Sequence, residues 1–156
     1  MSARPAFALR GYQPRDENAA VALWLTTWQA AYPAIDFAAR LTWWRERWRN
    51  ELVPAAQIVI AEADGAMIGF VTVDPATLYL DQIVVAPEFW NCGVGAALVA
   101  EAKRLSPNGL DLDVNTDNAR AIRFYQRCGF AISGADKNPL SGKAVHRMRW
   151  RRQRDK

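Results

Sequence analysis

Two glycines, Gly93 and Gly95, stand where an apolar, β-branched run gives way to a helical one, in the stretch Leu80-Asp81-Gln82-Ile83-Val84-Val85-Ala86-Pro87-Glu88-Phe89-Trp90-Asn91-Cys92-Gly93-Val94-Gly95-Ala96-Ala97-Leu98-Val99. A strand that enters a helix through such a turn leaves the first N–H groups of the helix without intrahelical partners, and the helix dipole adds partial positive charge there. That arrangement binds phosphate. Glycine suits it because the chain must approach the anion closely and needs freedom to take positive φ. A G-x-G before a helix is by itself a weak signal, for which an ordinary helix start is the better reading. A second segment, Asn115-Thr116-Asp117-Asn118-Ala119-Arg120-Ala121-Ile122-Arg123-Phe124-Tyr125-Gln126-Arg127-Cys128-Gly129-Phe130, sets an Asn at a helix start, a phenol seven residues later and a glycine at the close. Seven residues are almost two helical turns, so Asn118 and Tyr125 share a face and can line one cleft. Alone, the same residues also describe an N-cap and a core tyrosine.

These segments need elements that hold them side by side. Phe7 to Tyr12 reads as a short strand, and Pro14-Arg15-Asp16 as a turn with an N-cap. Val21, Trp24, Leu25, Trp28 and Tyr32 then recur at helical spacing until Pro33; Asp36 caps a second helix marked by Leu41, Trp44, Trp48 and Leu52. After Pro54 the period changes. Gln57 to Ala63 and Ala66 to Val73 read as strands joined by the hairpin signal Asp64-Gly65, and Thr77 to Val85 as a third. Gly93 to Arg104 is helical, Gly109 to Asn115 a strand, Asn118 to Cys128 a helix, and two weaker strands fill Ala131 to Trp150. The predicted order is β-α-α-β-β-β-α-β-α-β-β. It describes one α/β domain over residues 1–156, with a mixed, mostly antiparallel sheet, flanking helices and a parallel crossover around Gly93 to Arg104.

Composition narrows the function classes. At 156 residues and 51% hydrophobic, the chain can bury a core without disulfides or metals. Cys92, Cys128 and the single His146 give neither a disulfide framework nor a zinc-ligand set, so no metal is expected. No apolar run of signal-peptide or membrane-span length occurs, which points to a soluble cytoplasmic protein. The net charge of +4 is concentrated at the end, where residues 147–156 hold six cations against Asp155. Such a tail reads as a solvated end, and no basic face with stacking aromatics supports nucleic acid as a partner.

In this order and spacing the two segments resemble the GNAT N-acetyltransferase superfamily. Its acyl-CoA motif is a strand, then Q/R-x-x-G-x-G/A opening a helix, followed by N-x-x-A-x-x-x-Y-x-x-x-G-F. Trp90-Asn91-Cys92-Gly93-Val94-Gly95 and Asn118 to Phe130 occupy those positions, with Ala121 or its neighbour Ala119 as the motif alanine. The match runs from about Thr77 to Phe130, and Trp28-Gln29-Ala30-Ala31-Tyr32-Pro33 is similar to the family's N-terminal region. The resemblance implies acetyl-CoA as co-substrate. Backbone groups of Ile83, Val84 and Val85 would pair with the pantetheine arm; amides of Asn91, Cys92, Gly93, Val94, Gly95 and Ala96 would hold the pyrophosphate. Asn118 would hydrogen-bond the cofactor, and Tyr125 would sit by the thioester sulfur. Trp90 departs from the motif, which has Gln or Arg there.

Acetyl transfer to an amine requires the amine to lose a proton, since a lysine-type group has a pKa of about 10.4. Asp81 is the first candidate base, directly or through water, with a solvent-facing strand carboxylate as its plain alternative; Glu88 is second. Tyr125 suits the leaving thiolate, by hydrogen bonding rather than full proton donation. Direct transfer in a ternary complex needs no covalent intermediate. Cys92 and Cys128 lack a local activating His and read as structural thiols, and His146 as a packing residue. The seven tryptophans read mainly as core; Trp28, Tyr32 and Asp81 are expected around the acceptor, a small-molecule or peptide amine, and Trp24, Trp43 and Trp44 could also wall its pocket. A homodimer is compatible with the sequence. The alternatives are a catalytically silent acyl-CoA-binding module and a nucleic-acid-associated protein acting through the tail.

Overall fold

The computed structural model describes residues 6–139 and 141–153. Their strands are β1 (Ala8–Gly11), β2 (Gln57–Ala63), β3 (Ala66–Asp74), β4 (Tyr79–Val85), β5 (Leu110–Asn115), β6 (Ala131–Lys137) and β7 (Ala144–Trp150). The helices are α1 (Glu17–Ala31), α2 (Leu41–Arg47), α3 (Val53–Ala55), α4 (Val94–Leu105) and α5 (Ala119–Arg127). A π-helical turn, Trp48–Leu52, joins α2 to α3, so the three form one helical run. The expected element order is therefore present. The strands make one sheet in the order β1-β2-β3-β4-β5-β7-β6, antiparallel except where β4 meets β5.

Local chemistry explains the joints. Asp64 and Gly65 both take positive φ, 51° and 76°, the double left-handed turn whose twist matches the strands it connects. Leu78 also has positive φ, which ends the turn before β4 and delays that strand to Tyr79 from the expected Thr77. Leu41, Trp44, Trp48 and Leu52 recur mostly every four residues, a spacing that drifts by about 40° per step on an α-helix. The wider π turn takes up that drift and keeps Trp48 and Leu52 both in the core.

Alternation in the central strands builds two cores. Ile58, Ile60, Phe70 and Val84 face α1 and α2 with Trp24, Trp44 and Trp48, while Val59, Ala61, Val71 and Val73 face α4 and α5 with Val94, Leu98 and Phe130. The tryptophan layer is tightly organised. Trp24 and Trp44 stack with centroids 4.7 Å apart, and Trp48 sets its edge on Phe70 at 5.2 Å while its indole N–H donates to the Tyr12 hydroxyl at 3.1 Å.

Asp16 precedes α1 as expected but does not cap it through its side chain. Its carboxylate instead accepts from both terminal nitrogens of Arg10, each at 2.8 Å, and from the Gln13 amide at 2.8 Å. Arg10 also donates to Glu62 on β2 at 3.0 Å, so the buried carboxylate ties the entry of α1 to the sheet. The Arg10 guanidinium holds the Asp16 carboxyl below the usual carboxylate range. Asp16→Ala should cost about 2–3 kcal/mol of stability at neutral pH, since it removes two charge-assisted bonds and leaves Arg10 with Glu62 as its remaining carboxylate partner among the described residues. Because the folded-state pKa is depressed, that contribution is complete above the ordinary value of about 3.9 and is lost as pH falls through the folded-state value. Denaturant melts of both proteins at pH 7 and in acid should show the gap closing in acid.

Candidate active site

β4 and β5 run parallel and pair at one position, Tyr79 with Asp111, where the Asp111 amide donates to the Leu78 carbonyl at 2.7 Å. Beyond it they part. On its other side β4 stays paired with β3, through a bulge: Thr72 pairs with Gln82 and Val73 with Leu80, which leaves Asp81 as the extra residue. Bulges re-aim side chains, and this one places Asp81 at the edge of the opening. The Ala86 amide bonds Ile68 and the Gln82 amide bonds Thr72 Oγ1, both on β3. Alternation then turns the backbone of Ile83 and Val85 toward the gap and that of Val84 toward β3, with the Val84 side chain in the core. Of the three expected pantetheine partners, two face the opening.

Past β4, the turn Pro87–Phe89 leads to Asn91 at φ 64° and Gly93 at φ 87°, the left-handed residue from which α4 starts. Ala97 is the first residue of the helix to bond back to Gly93, so the N–H groups of Val94, Gly95 and Ala96 lack helical acceptors. Gly95 has a reason the sequence did not disclose. A Cβ there would lie 3.1 Å from the Phe124 ring of α5, so the glycine lets α5 close against the turn. These elements border a groove of about 910 Å³, a volume suited to a small-molecule site.

Asn118 caps α5, its Oδ1 accepting from the Ala121 amide at 3.1 Å, and also lines the groove. Tyr125 lines it too, wedged edge-on between Phe124 and Phe130. Its hydroxyl has no hydrogen-bond partner among the described residues. Burial pushes the Tyr125 pKa above its ordinary value, so the phenol is a neutral donor and not a base. At the other end, Trp28 and Tyr32 stack at 5.9 Å, and the Tyr32 hydroxyl accepts from Asn115 at 3.1 Å and donates to Asp117 at 3.3 Å. Trp24 and Trp44 are core residues beneath this wall, whereas Trp43 is exposed at the rim. Thr27 Oγ1 and Trp44 Nε1, both on residues of the groove lining, are buried without hydrogen-bond partners.

Asp81 borders the groove, but it is not an open carboxylate. Arg47 donates to both of its oxygens, to Oδ1 at 2.9 Å and to Oδ2 more closely, and Gln82 Nε2 adds a bond at 3.1 Å. Glu88 is exposed and does not line the groove. The Cys128 thiol is pushed up by burial, in keeping with an unreactive thiol. Sequence reasoning missed Arg47, Asn115 and Asp117, each defined by a partner more than thirty residues away. It also missed Gln29, whose amide holds the chain after α1 by donating to Ile35 O at 2.7 Å and accepting from the Phe37 amide at 3.3 Å. A polar residue within an aromatic helical face was its one visible signal.

Residues 18–130 match the family model described as "Acetyltransferase (GNAT) family". This chain belongs to the GNAT family. It is 33% identical over 129 residues to peptidyl-lysine N-acetyltransferase YiaC of Escherichia coli, covering 80% of this chain and 83% of that one. It is 27% identical to peptidyl-lysine N-acetyltransferase YjaB of Salmonella typhimurium, covering 79% and 82%. The crystal structure of PaiA N-acetyltransferase from Thermoplasma acidophilum with coenzyme A superposes with a TM-score of 0.74 at 18% identity, covering 94% and 99%. This GNAT chain is an acetyl-CoA-dependent N-acyltransferase. The residues present fit the cofactor: an unpaired stretch of strand, a turn of free amides and a groove reaching an unpartnered phenol. Among the described residues, no three His, Cys, Asp or Glu side chains group to hold a metal ion, and no helix is long and apolar enough to cross a membrane.

Gly95→Val should damage fold and cofactor binding together, because the branched side chain meets Phe124 and crowds the free amides. The overpacking alone should cost about 1–3 kcal/mol. Thermal melts and coenzyme A titration of the variant check this, and loss of binding at unchanged stability would separate the two effects.

Proposed function

We propose that this GNAT enzyme moves the acetyl group of acetyl-CoA directly to a primary amine, on a peptide or a small molecule, within a ternary complex. What supports this is one continuous groove that joins the amide turn of α4 to the aromatic wall of α1 and holds the unpartnered Tyr125 hydroxyl. The pantetheine arm lies against Ile83 and Val85, and the pyrophosphate on the amides from Asn91 to Ala96. The two similar chains named for peptidyl-lysine acetylation make a lysine side chain the first acceptor to try.

The acceptor amine enters past Trp28 and Tyr32 and attacks the thioester carbonyl after losing a proton. Asp81, held in place by Arg47, orders the water that takes up this proton; with both oxygens already accepting, it does not need to touch the amine. As the C–S bond breaks, Tyr125 donates a hydrogen bond to the developing thiolate. Its raised pKa makes full proton transfer to sulfur uphill, so it stabilises charge and remains a phenol.

Thiol release from acetyl-CoA with a panel of lysine peptides and small amines tests the assignment, and the absence of release with every amine would leave a binding module. Tyr125→Phe should lower kcat about tenfold or more with little change in coenzyme A affinity. An unaltered kcat would return Tyr125 to a packing role. Asp81→Asn should slow the reaction most at low pH, with recovery as the amine deprotonates unaided. An equal loss at every pH, matched by a lower melting temperature, would make Asp81 a structural partner of Arg47.

A further inference from the structure

Position 90, where the family motif has Gln or Arg, carries an indole that the structure fixes firmly. Trp90 Nε1 donates to the Val85 carbonyl at 2.7 Å, which pins the ring at the end of β4 beside the turn of free amides. The guanidinium of Arg120 lies on that ring, its Cζ 3.8 Å from the centroid. Both residues line the groove together with Asn91, Gly93 and Gly95.

Arg120 is exposed at the groove, and three observations mark it out. Among the described residues it has no hydrogen bond and no carboxylate partner; Arg40 and Arg127 on the same lining likewise have no ion pair, but Arg120 is the one stacked on Trp90 beside the amide turn. It stands in the first turn of α5, where a cation opposes the helix dipole and an acidic side chain would serve folding better. Partial burial against the groove wall also lowers its pKa, a shift that a nearby anion would oppose. Stacking on Trp90 limits the rotamers of a long side chain and leaves the in-plane N–H fork free to meet phosphate oxygens.

We propose that Arg120, held on the face of Trp90, is the cation that pairs with the pyrophosphate of the bound acyl-CoA. The motif's charged position at the turn is thereby replaced by a two-residue device: the indole at 90 is the platform, and the charge arrives from α5. The inference rests on acyl-CoA filling this groove.

Calorimetric titration of coenzyme A and of 3′-dephospho-coenzyme A tests it, with wild type, Arg120→Ala, Trp90→Leu and the double variant at low and high salt. Melting temperatures verify that each variant is folded. Arg120→Ala should weaken both ligands about tenfold at low salt, the scale of one charge-assisted contact, and the difference should shrink as salt rises. Trp90→Leu should by itself show part of that loss, and the double variant should bind no worse than Arg120→Ala, since the platform acts through the cation. Arg120→Ala binding coenzyme A within about twofold of wild type at low salt would overturn the proposal, whatever Trp90→Leu does. A loss confined to coenzyme A and absent with the dephospho form would place Arg120 at the 3′-phosphate and overturn the pyrophosphate assignment. Failure of the wild type to bind either ligand is a separate result, which removes the cofactor reading itself.

Discussion

Two parallel strands that touch at a single residue pair leave a row of backbone donors and acceptors without partners, and the rest of this molecule is arranged around that opening. β4 and β5 meet at Tyr79 and Asp111 and nowhere further along. Closing them would satisfy the strands and abolish the site. The parting is maintained by what fills its flanks. α4 and α5 lie against each other with Phe124 over Gly95, and the Trp90 indole occupies the Val85 carbonyl that a neighbouring strand would otherwise bond. An unpaired strand edge is ordinarily an aggregation hazard. Here it lies inside a groove, where an extended ligand with amide groups can complete the ladder.

Charge is distributed differently at the two ends of the groove. The α4 end offers free amides and Arg120 to an anion. The α1 end presents an aromatic wall and ionised groups already matched to partners: Asp81 to Arg47, and Asp117 to the Tyr32 hydroxyl and to Lys143 at 3.5 Å. Paired groups of this kind keep a fixed geometry without a strong unbalanced field. Tyr125 stands apart from both ends in having a neutral hydroxyl with no hydrogen-bond partner among the described residues.

Local signals made much of this legible. Asp64-Gly65 marked its hairpin, Asn118 its cap, and the G-x-G turn its left-handed helix start, because each depends on the φ preference or side-chain reach of a few adjacent residues. The resemblance to the GNAT motif pointed to a cofactor region for the same reason, its residues being close in sequence, and the structure brings most of those residues to one groove. What escaped was set by distant partners or by backbone irregularity. Nothing near Asp81 announced Arg47, the bulge that isolates Asp81, or the alternation that turns Val84 away from the opening. The π turn at Trp48–Leu52 was hidden because a spacing of four suits an α-helix nearly as well. Gly95 was legible as a required glycine, but its contact with Phe124 was not.

The central claim is that acyl-CoA completes the sheet where β4 and β5 part, and a crystal structure of the acetyl-CoA complex tests it most directly. The account predicts the pantetheine arm lying along β4, hydrogen-bonded to the backbone of Ile83 and Val85 but not Val84, with the thioester sulfur within reach of the Tyr125 hydroxyl. A pantetheine arm bound elsewhere, or β4 and β5 zipped together beyond Tyr79 and Asp111 in the complex, would contradict it.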